Sequence, residues 1–384
     1  MHPESISKTK FRVGIDAHAL GSSLGGNETY LRCLLRGLRH HPEHEYLLYV
    51  SHPGAREIAA EHLPEAECHI VSQNPLKRLG LDLPLASHFH RLDLLHLQYV
   101  APLSTRCPVS LMIHDLSYEH HPAWFRRSEV LRFRATIPRS AAVAKVVMTV
   151  SHFCRGDIIG RLHLPPEKVI VTPNAVSPIY QPIDRGGQGS VKNRWSLPER
   201  YILALGNLQP RKNIETLLRA WKAIMHKPSM ENVSLVLAGK RAWLHDDILQ
   251  EANQEGMERV LFTGYLPEKD LPALYSGAMM FVYPSLFEGF GLPPIEAMAC
   301  GTPVIVGRNS ALGETCGDAA RYADVLSEGS LADAMVSLAS DHLERERLAA
   351  LGIARAAHFT LENLAEPTLR SWKNILPQGI PPQR

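Results

Sequence analysis

The sequence has no long hydrophobic run and few cysteines. No stretch of about 18 apolar residues occurs, so we expect no transmembrane helix. The 6 cysteines are scattered and none forms a Cys-x-x-Cys pair, which favours buried free thiols in a reducing compartment over a disulfide framework. Because the segment from Met1 to Lys10 is polar, we expect no secretory signal and a cytoplasmic protein.

The chain also lacks an excess of charge of either sign. Its 41 Lys and Arg residues balance 39 Asp and Glu residues, which argues against a protein whose main ligand is nucleic acid. A Gly-x-Gly-x-x-Gly motif is missing, so the dinucleotide fingerprint fails and a nicotinamide oxidoreductase is disfavoured. These absences leave a globular protein with another kind of ligand.

Short apolar runs alternate with helical stretches along the whole chain. This alternation predicts doubly wound parallel sheets, and a length of 384 residues predicts two domains. The first series of strands is predicted at 11–16, 46–50, 95–99, 109–113 and 145–150, and the second at 201–205, 234–238, 260–263, 279–283 and 304–306. Ligands of such sheets bind beyond the carboxyl ends of the strands, so the cleft between the two domains is the predicted site.

The boundary between the domains is predicted from composition. Residues 181–199 are rich in Gly, Pro and charge and have no sustained apolar period, which indicates a linker. The predicted units are residues 1–182, residues 183–360, and a last segment, residues 361–384, with a helix at about 361–375.

Two glutamates, Glu288 and Glu296, flank a glycine turn and two prolines within residues 286–304. Apolar runs on both sides predict a strand, a tight turn, a helix and a second strand. Prolines suit the first turn of a helix, and free amides at its start bind anions such as phosphate. The two carboxylates would then contact groups attached to that phosphate. Alternatively, a glutamate in the first helical turn only complements the helix dipole.

A basic pair, Arg211 and Lys212, stands where the strand at 201–205 gives way to a helix predicted at 214–225. Positive charge is unfavourable beside a helix N-terminus, but an anion bound between the two side chains would make it favourable. Arg offers a planar fork to phosphate and Lys a point charge. The other interpretation is an ordinary solvated basic pair.

As whole strings, residues 286–304 and 205–214 resemble the signatures of the retaining glycosyltransferases of family 4, which share the two-domain GT-B fold. The similarity extends over most of the chain. It includes Gly25 and Gly26 in a glycine-rich loop, the His114-Asp115 pair at a strand end, and Gly264-Tyr265-Leu266. In the family, the C-terminal helix crosses back to the first domain, and the same is expected for residues 361–375.

The resemblance implies transfer of a sugar from a nucleotide diphosphate sugar to an acceptor hydroxyl, with retention at the anomeric carbon. In this scheme Glu288 and His114 contact the donor sugar, and Glu296 binds the ribose. Arg211 and Lys212 hold the diphosphate and stabilise its charge as the glycosidic bond breaks. The full set of donor-binding residues implied is Gly25, Gly26, Gly206, Arg211, Lys212, Leu266, Glu288, Gly289, Phe290, Gly291, Leu292 and Glu296.

No cofactor or metal is expected. The sequence contains no Asp-x-Asp motif, the kind of carboxylate pair that holds a divalent ion on substrate phosphates, and the basic pair can take that ion's place.

The donor is predicted less narrowly than the chemistry. Residues 14–18 and 114–118, with Pro122, resemble bacterial mannosyltransferases of O-antigen or exopolysaccharide assembly, which favours GDP-mannose and a role in lipopolysaccharide biosynthesis. A UDP-sugar stays open, as do a sugar-nucleotide epimerase of the same fold and a non-catalytic sugar-binding protein. A saccharide or lipid-linked acceptor is expected. Asn27-Glu28 follows the glycine pair where those mannosyltransferases often have other residues, which leaves the choice of acceptor open.

One stretch suggests a second kind of partner. Residues 124–145 place six basic residues among apolar ones. Such a stretch is more often a solvated helix face, but it can also lie on an anionic membrane surface, which would give peripheral contact with the inner membrane.

Overall fold

The computed structural model describes residues 10–22, 25–207, 209–240 and 256–376, which form two parallel β-sheets. The seven-stranded sheet of the first domain has the order β3-β2-β1-β4-β5-β6-β7, and the six-stranded sheet of the second has the order β10-β9-β8-β11-β12-β13. The strands are β1 Phe11–Asp16, β2 His44–Val50, β3 Glu67–Ile70, β4 Leu94–Gln98, β5 Val109–Met112, β6 Val146–Thr149, β7 Val169–Val171, β8 Arg200–Leu205, β9 Val233–Ala238, β10 Val260–Gly264, β11 Met280–Tyr283, β12 Val304–Val306 and β13 Ala320–Tyr322.

Helices connect the strands and cover both faces of each sheet. They are α1 Gly26–Leu38, α2 Gly54–His62, α3 Pro75–Lys77, α4 Leu83–Phe89, α5 Ser117–His120, α6 Arg127–Val143, α7 His152–Leu162, α8 Arg185–Trp195, α9 Ile214–Ile224, α10 Leu271–Ser276, α11 Leu292–Ala299, α12 Leu312–Cys316, α13 Glu328–Ser340, α14 His342–Ala356 and α15 Leu361–Ile375. A π-helical turn, Arg78–Asp82, joins α3 to α4, and 3₁₀ turns lie at Pro122–Trp124, Pro166–Lys168, Pro210–Lys212, Pro228–Met230, Glu268–Asp270 and Gly317–Ala319.

The predicted class is confirmed: each domain is a doubly wound parallel sheet. The central strands β4, β5, β6 and β11 are buried at every position, which is why their sequences are continuous apolar runs rather than alternating ones. In both sheets the strand order reverses beside the first strand of the domain. The carboxyl ends of β1 and β4, and of β8 and β11, therefore flank a crevice, and the two crevices face each other.

The C-terminal helix α15 returns to the first domain, as expected. It packs on α1, and its indole Trp372 Nε1 donates to Ser110 Oγ of β5 at 3.1 Å. At Gly37 of α1 a β-carbon would come within 2.8 Å of the Leu361 carbonyl, so the two helices touch through a glycine.

A helix, α8, occupies most of the segment predicted as the linker, residues 181–199. Three glycines and the lack of an apolar period hide this helix in the sequence. Its stability comes from specific contacts: Asp184 caps its N-terminus at Gly187 N (2.8 Å), while Arg194 and Trp195 both donate to the buried carboxylate of Asp270. The proposed division at 182/183 stays a prediction.

Three edge strands, β3, β7 and β13, were not predicted. They have three or four residues each, and β3 exposes both of its ends, so neither length nor periodicity marks them. In the described part of the chain no helix is long and apolar enough to cross a membrane.

Candidate active site

A cleft of about 910 Å³ lies between the two domains. Every residue predicted to bind the donor or act on it lines this cleft: Gly25, Gly26 and His114 from the first domain, and Gly206, Arg211, Lys212, Leu266, Glu288, Gly289, Phe290, Gly291, Leu292 and Glu296 from the second. The structure thus brings the whole predicted set together, while the role of each residue stays a prediction.

Glu288 is the centre of the densest polar cluster in the cleft. Its Oε1 accepts from Lys212 Nζ at 2.6 Å, Ser285 Oγ at 2.6 Å and Tyr283 Oη at 2.9 Å. Its Oε2 accepts from Arg211 Nη1 at 3.1 Å. Tyr283 also accepts a short hydrogen bond from Lys212. Four donors therefore hold one buried carboxylate in a single orientation.

This cluster sets the charges of its members. Burial alone would raise the pKa of Glu288, but Arg211 and Lys212 outweigh it and hold that pKa at about 2. Burial lowers the pKa of Lys212 to about 8 although Glu288 opposes this, and Glu288 keeps the pKa of Arg211 above its ordinary value. At neutral pH the cluster is one anion with two cations, and it carries a net positive charge toward the cleft.

The basic pair already has an anionic partner in the ligand-free protein, which its position in the sequence did not indicate. The unfavourable placement of Arg211 and Lys212 before α9 is offset inside the protein by Glu288. With two cations and one carboxylate, one positive charge remains uncompensated, which suits a bound diphosphate.

The loop after β11 presents backbone donors to the cleft. The amides of Gly289, Phe290, Gly291 and Leu292 have no hydrogen-bond acceptor among the described residues, and all four residues line the cleft. Gly291, the residue just before α11, adopts φ 92°, a left-handed conformation that residues with a side chain rarely adopt. The four amides can therefore serve as an anion cradle.

Glu296 is placed differently from its prediction. It is the fifth residue of α11, so it lies beyond the first turn and does not complement the helix dipole there. The first turn contains Pro293 and Pro294, which lack amide donors. Glu296 is buried in the cleft wall and accepts from Tyr275 Oη at 3.0 Å. Burial raises its pKa to about 7.

The raised pKa of Glu296 predicts that this carboxyl lowers the stability of the fold above neutral pH, although it is expected to bind the nucleotide. Because the folded protein keeps this carboxyl protonated to a higher pH than the unfolded chain does, stability is lost as pH rises from about 4.5 to about 7. A pKa shift of this size corresponds to about 3 kcal/mol. We therefore expect Glu296→Gln to unfold like the wild type at pH 5 but to be more stable at pH 8, while it binds nucleotide more weakly.

Urea titrations of both proteins at the two pH values measure this effect. Tyr275→Phe, which removes the hydroxyl partner and keeps the carboxyl, is the matched control and should retain the wild-type trend. An equal stability change at pH 5 and pH 8 in Glu296→Gln would contradict the expectation.

On the opposite wall, His114 follows β5 and is held by two neighbours. Its Nε2 lies 2.8 Å from Gln98 Oε1, so Nε2 carries the proton and Nδ1 is the free acceptor. Tyr30 packs edge-on against the ring at 4.9 Å. Burial lowers the pKa of His114 to about 4, so the imidazole is neutral at physiological pH. It can accept a hydrogen bond from a sugar hydroxyl but cannot supply a positive charge.

The glycine loop opens the first domain toward the cleft. Gly25 adopts φ 69° before α1, and a β-carbon on Gly25 or Gly26 would meet no atom within 4 Å, so backbone is exposed there to a ligand. Across the cleft, Gly239 approaches Gly206 so closely that a β-carbon would lie 2.0 Å from the Gly206 oxygen. These glycines leave room for a ligand above the strand ends.

Several side chains that complete the site were not predicted. Gln98 orients His114, Tyr283 and Ser285 hold Glu288, and Tyr275 holds Glu296. Tyr283 and Ser285 fall within two residues of the end of a predicted strand, a position that is itself a signal. Gln98 and Tyr275 reach their partners only through the tertiary fold. Among the described residues no group of three or more His, Cys, Asp or Glu could hold a metal ion.

The chain is similar to known glycosyltransferases in both of its domains. The family described as "Glycosyl transferases group 1" matches residues 190–354, and "Glycosyltransferase Family 4" matches residues 24–179. O-antigen chain mannosyltransferase B of Escherichia coli is 34% identical over 263 residues, which cover 68% of this chain and 68% of that protein. The GDP-mannose-dependent alpha-(1-6)-phosphatidylinositol monomannoside mannosyltransferase of Mycolicibacterium smegmatis is 28% identical over 70% of each chain.

Among solved structures, Anabaena HepE in complex with UDP-glucose superposes with a TM-score of 0.75 at 17% identity, covering 95% of this chain and 100% of that one. Two Rossmann-like domains that face a cleft, with the last helix returned to the first domain, define the GT-B class of glycosyltransferases. The chain belongs to glycosyltransferase family 4.

Proposed function

We propose that this enzyme transfers mannose from GDP-mannose to a hydroxyl of a saccharide or lipid-linked acceptor, with retention at the anomeric carbon. The observation that carries the proposal is the Glu288 cluster: a buried carboxylate fixed by two cations, opposite a neutral histidine and next to four amides that have no acceptor in the described part of the chain. This arrangement offers separate partners for the sugar, the diphosphate and the ribose of one nucleotide sugar.

Catalysis in this proposal is stabilisation of the leaving group. When the bond between the anomeric carbon and the diphosphate oxygen breaks, negative charge grows on the β-phosphate. Arg211, Lys212 and the amides of residues 289–292 are fixed in advance, so they stabilise that charge with little reorganisation. Glu288 accepts from donor-sugar hydroxyls on one side, and neutral His114 accepts from them on the other.

The assignment of mannose draws on the relatives. Both the Escherichia coli and the Mycolicibacterium smegmatis proteins are mannosyltransferases by name, and the second is GDP-mannose-dependent. They support GDP-mannose as the donor here. The proposed site for the acceptor is the part of the cleft lined by Asn27, Glu28, Arg32 and Ile58 of the first domain.

The donor can be identified by a thermal-shift screen followed by a transfer assay. We expect GDP-mannose and GDP to raise the melting temperature more than UDP-glucose, UDP or ADP do, because binding to the folded state alone is stabilising. Released GDP should then depend on the presence of an acceptor glycan. A larger shift with a UDP-sugar would replace the donor, and turnover of the donor without any acceptor would indicate an epimerase.

We also propose that sugar transfer needs no metal ion. Transfer should continue in EDTA at its full rate, because the basic pair and the amide cradle neutralise the diphosphate. Loss of transfer in EDTA that Mg²⁺ or Mn²⁺ restores would contradict this part.

An exposed apolar surface on the first domain supports a lipid-linked acceptor. Leu81, Leu85 and Phe89 follow one another at four-residue spacing on the helical segment 75–89, and they expose 49%, 44% and 70% of their surface. The spacing puts them on one face. This face was not predicted from the sequence. The loop that contains Leu103, another exposed residue, contacts this segment through Arg106 N, which donates to Ser87 Oγ of α4 at 3.2 Å, and Arg139 of α6 donates to the carbonyl of Leu103.

Basic side chains accompany these apolar ones. Lys77 is exposed four residues before Leu81, the first residue of this face. On α6, Arg127 and Arg132 are exposed beside Leu131, which exposes 69% of its surface. Apolar side chains that enter the headgroup layer, with cations around them, fit an anionic membrane surface. We infer that this face holds the enzyme peripherally at the membrane that carries its acceptor.

Vesicle co-sedimentation tests this inference. Phe89→Gln with Leu85→Gln should lower partition onto vesicles rich in anionic lipid by about 10-fold, since apolar burial and charge both contribute. Leu343→Gln with Leu326→Gln is the matched control, because both leucines are 76% exposed on the second domain. Equal partition of the two double variants would contradict a membrane role for this face.

A further inference from the structure

The loop that carries Glu288 is held by the opposite domain. Ser151, at the end of β6, donates its hydroxyl to the carbonyl of Gly289 at 2.8 Å, and the Cys154 thiol lies 3.4 Å from the same oxygen. The serine also accepts from Cys154 N and so caps α7. A β-carbon at Gly289 would lie 2.5 Å from the His114 oxygen, so no side chain could fit between the loop and the first domain.

A second contact joins the domains beside the first. Glu314 of α12 accepts from two successive amides at the start of α7, His152 N at 2.8 Å and Phe153 N at 2.9 Å. Its backbone is fixed in turn by Arg355, which donates to the carbonyls of Glu314 and Thr315. Residues 151–154 of the first domain therefore form hydrogen bonds with two separate elements of the second domain, the Gly289 loop and α12.

The Ser151 contact fixes a donor of the cradle. The peptide between Gly289 and Phe290 is planar, and its carbonyl and amide point in opposite directions. When Ser151 holds the carbonyl, the direction of the Phe290 amide is set as well. That amide has no acceptor among the described residues, and Phe290 lines the cleft. The first domain thus orients a backbone donor of the second.

We propose that Ser151 and Glu314 are positioning residues that hold the Gly289 loop against the first domain, so that the amide cradle is complete only when the cleft is closed. The inference rests on the proposed function, in which this cradle binds the donor diphosphate. Opening the cleft breaks both contacts, frees the Gly289 peptide to rotate and removes an oriented donor from the developing charge.

The expected effect is larger on turnover than on binding. Ser151→Ala and Glu314→Ala should each lower kcat by about 10-fold or more, because each removes a hydrogen-bonded contact of the closed state. The Kd for GDP should change less than about threefold, since Arg211, Lys212 and Glu296 remain. Ser151→Thr keeps both the donor and the cap and should restore most of kcat.

The experiment compares these variants with Asp341→Ala in kcat, in GDP affinity by calorimetry and in radius of gyration by X-ray scattering. Asp341 caps α14 within the second domain at 2.9 Å from Glu344 N, so its loss matches the lost cap without touching the interface. We expect an increased radius of gyration for ligand-free Ser151→Ala and Glu314→Ala, and the wild-type value for Asp341→Ala.

Wild-type kcat in Ser151→Ala, or a parallel fall of kcat and GDP affinity by one factor, would overturn the proposal. So would an Asp341→Ala variant as impaired as Glu314→Ala. If the wild type transfers sugar from no nucleotide sugar, the proposed function fails instead, and the scattering comparison still decides whether these residues hold the cleft closed.

Discussion

Glu288→Gln is expected to lower sugar transfer by about 1000-fold, because it removes a charged group that the proposed function places at the reacting end of the donor. Glutamine is close in size but offers one acceptor where the carboxylate has two. In the protein those two oxygens accept from Lys212, Ser285, Tyr283 and Arg211. The variant cannot satisfy all four, so the donor-sugar contact is lost together with the order of its surroundings.

The same substitution should destabilise the ligand-free protein. Removing one member of a buried ion pair leaves the other uncompensated and costs about 3–5 kcal/mol. Here two cations remain beside each other in the cleft. A bound diphosphate would replace the missing anion, so GDP should raise the melting temperature of Glu288→Gln by more than that of the wild type.

Two measurements check this pair of outcomes. Transfer rates report the catalytic loss, and thermal shifts with and without GDP report the exchange of anions. Glu268→Gln is the control, because Glu268 also lines the cleft but forms no ion pair in the described structure. Full transfer activity in Glu288→Gln would show that Glu288 lies outside the chemistry, and a GDP shift no larger than in the wild type would show that a bound diphosphate does not replace its charge.

The sequence predicted the parts of this fold that depend on neighbours along the chain. Ten strands were found because each contains a short apolar run, and the central ones, such as Val109–Met112 and Met280–Tyr283, are buried on both faces of the sheet. The motif at 286–304 has the predicted strand, turn, helix and strand, since prolines and glycines act locally.

What the sequence could not supply depends on distant contacts. Helix α8 contains Gly186, Gly187 and Gly189, and it exists because Asp270, about 75 residues away, accepts from its last turn. Gln98 and His114 meet only because β4 and β5 are neighbours in the sheet. Strand order is not encoded in periodicity, so neither pairing had a local signal.

The charge of the site shows the same limit. Sequence reasoning treated Glu288 as a sugar contact and Arg211 with Lys212 as a phosphate site, each separate from the other. In the structure Glu288 forms ion pairs with Arg211 and Lys212. They meet because β8 and β11 are neighbours in the sheet, so the loops that follow these two strands are adjacent. The carboxylate therefore balances the basic pair in the ligand-free protein, and in the proposed function it also contacts the donor sugar.

This joined charge makes the basic pair the second substitution of large effect. Arg211→Ala with Lys212→Ala should weaken GDP binding by about 100-fold or more, because two charge-assisted contacts to the diphosphate are lost. Calorimetry measures the affinity. Arg219→Ala is the control, since Arg219 lies on α9 and pairs with Glu328 at 2.9 Å outside the cleft. Unchanged GDP affinity in the double variant would refute the diphosphate role.

The double variant should also reverse the pH dependence of stability at Glu288. In the wild type the pKa is held at about 2, so this carboxylate stabilises the fold fully above its unfolded pKa of about 4.5 and loses that effect progressively as pH falls from 4.5 to about 2. Without the two cations, burial dominates and raises the pKa above that of the unfolded chain. Stability is then lost as pH rises, so relative to the wild type the double variant should be weaker at pH 8 than at pH 5. Urea titrations at both values measure this, and an identical loss at the two would mean that Glu288 does not depend on the pair for its charge.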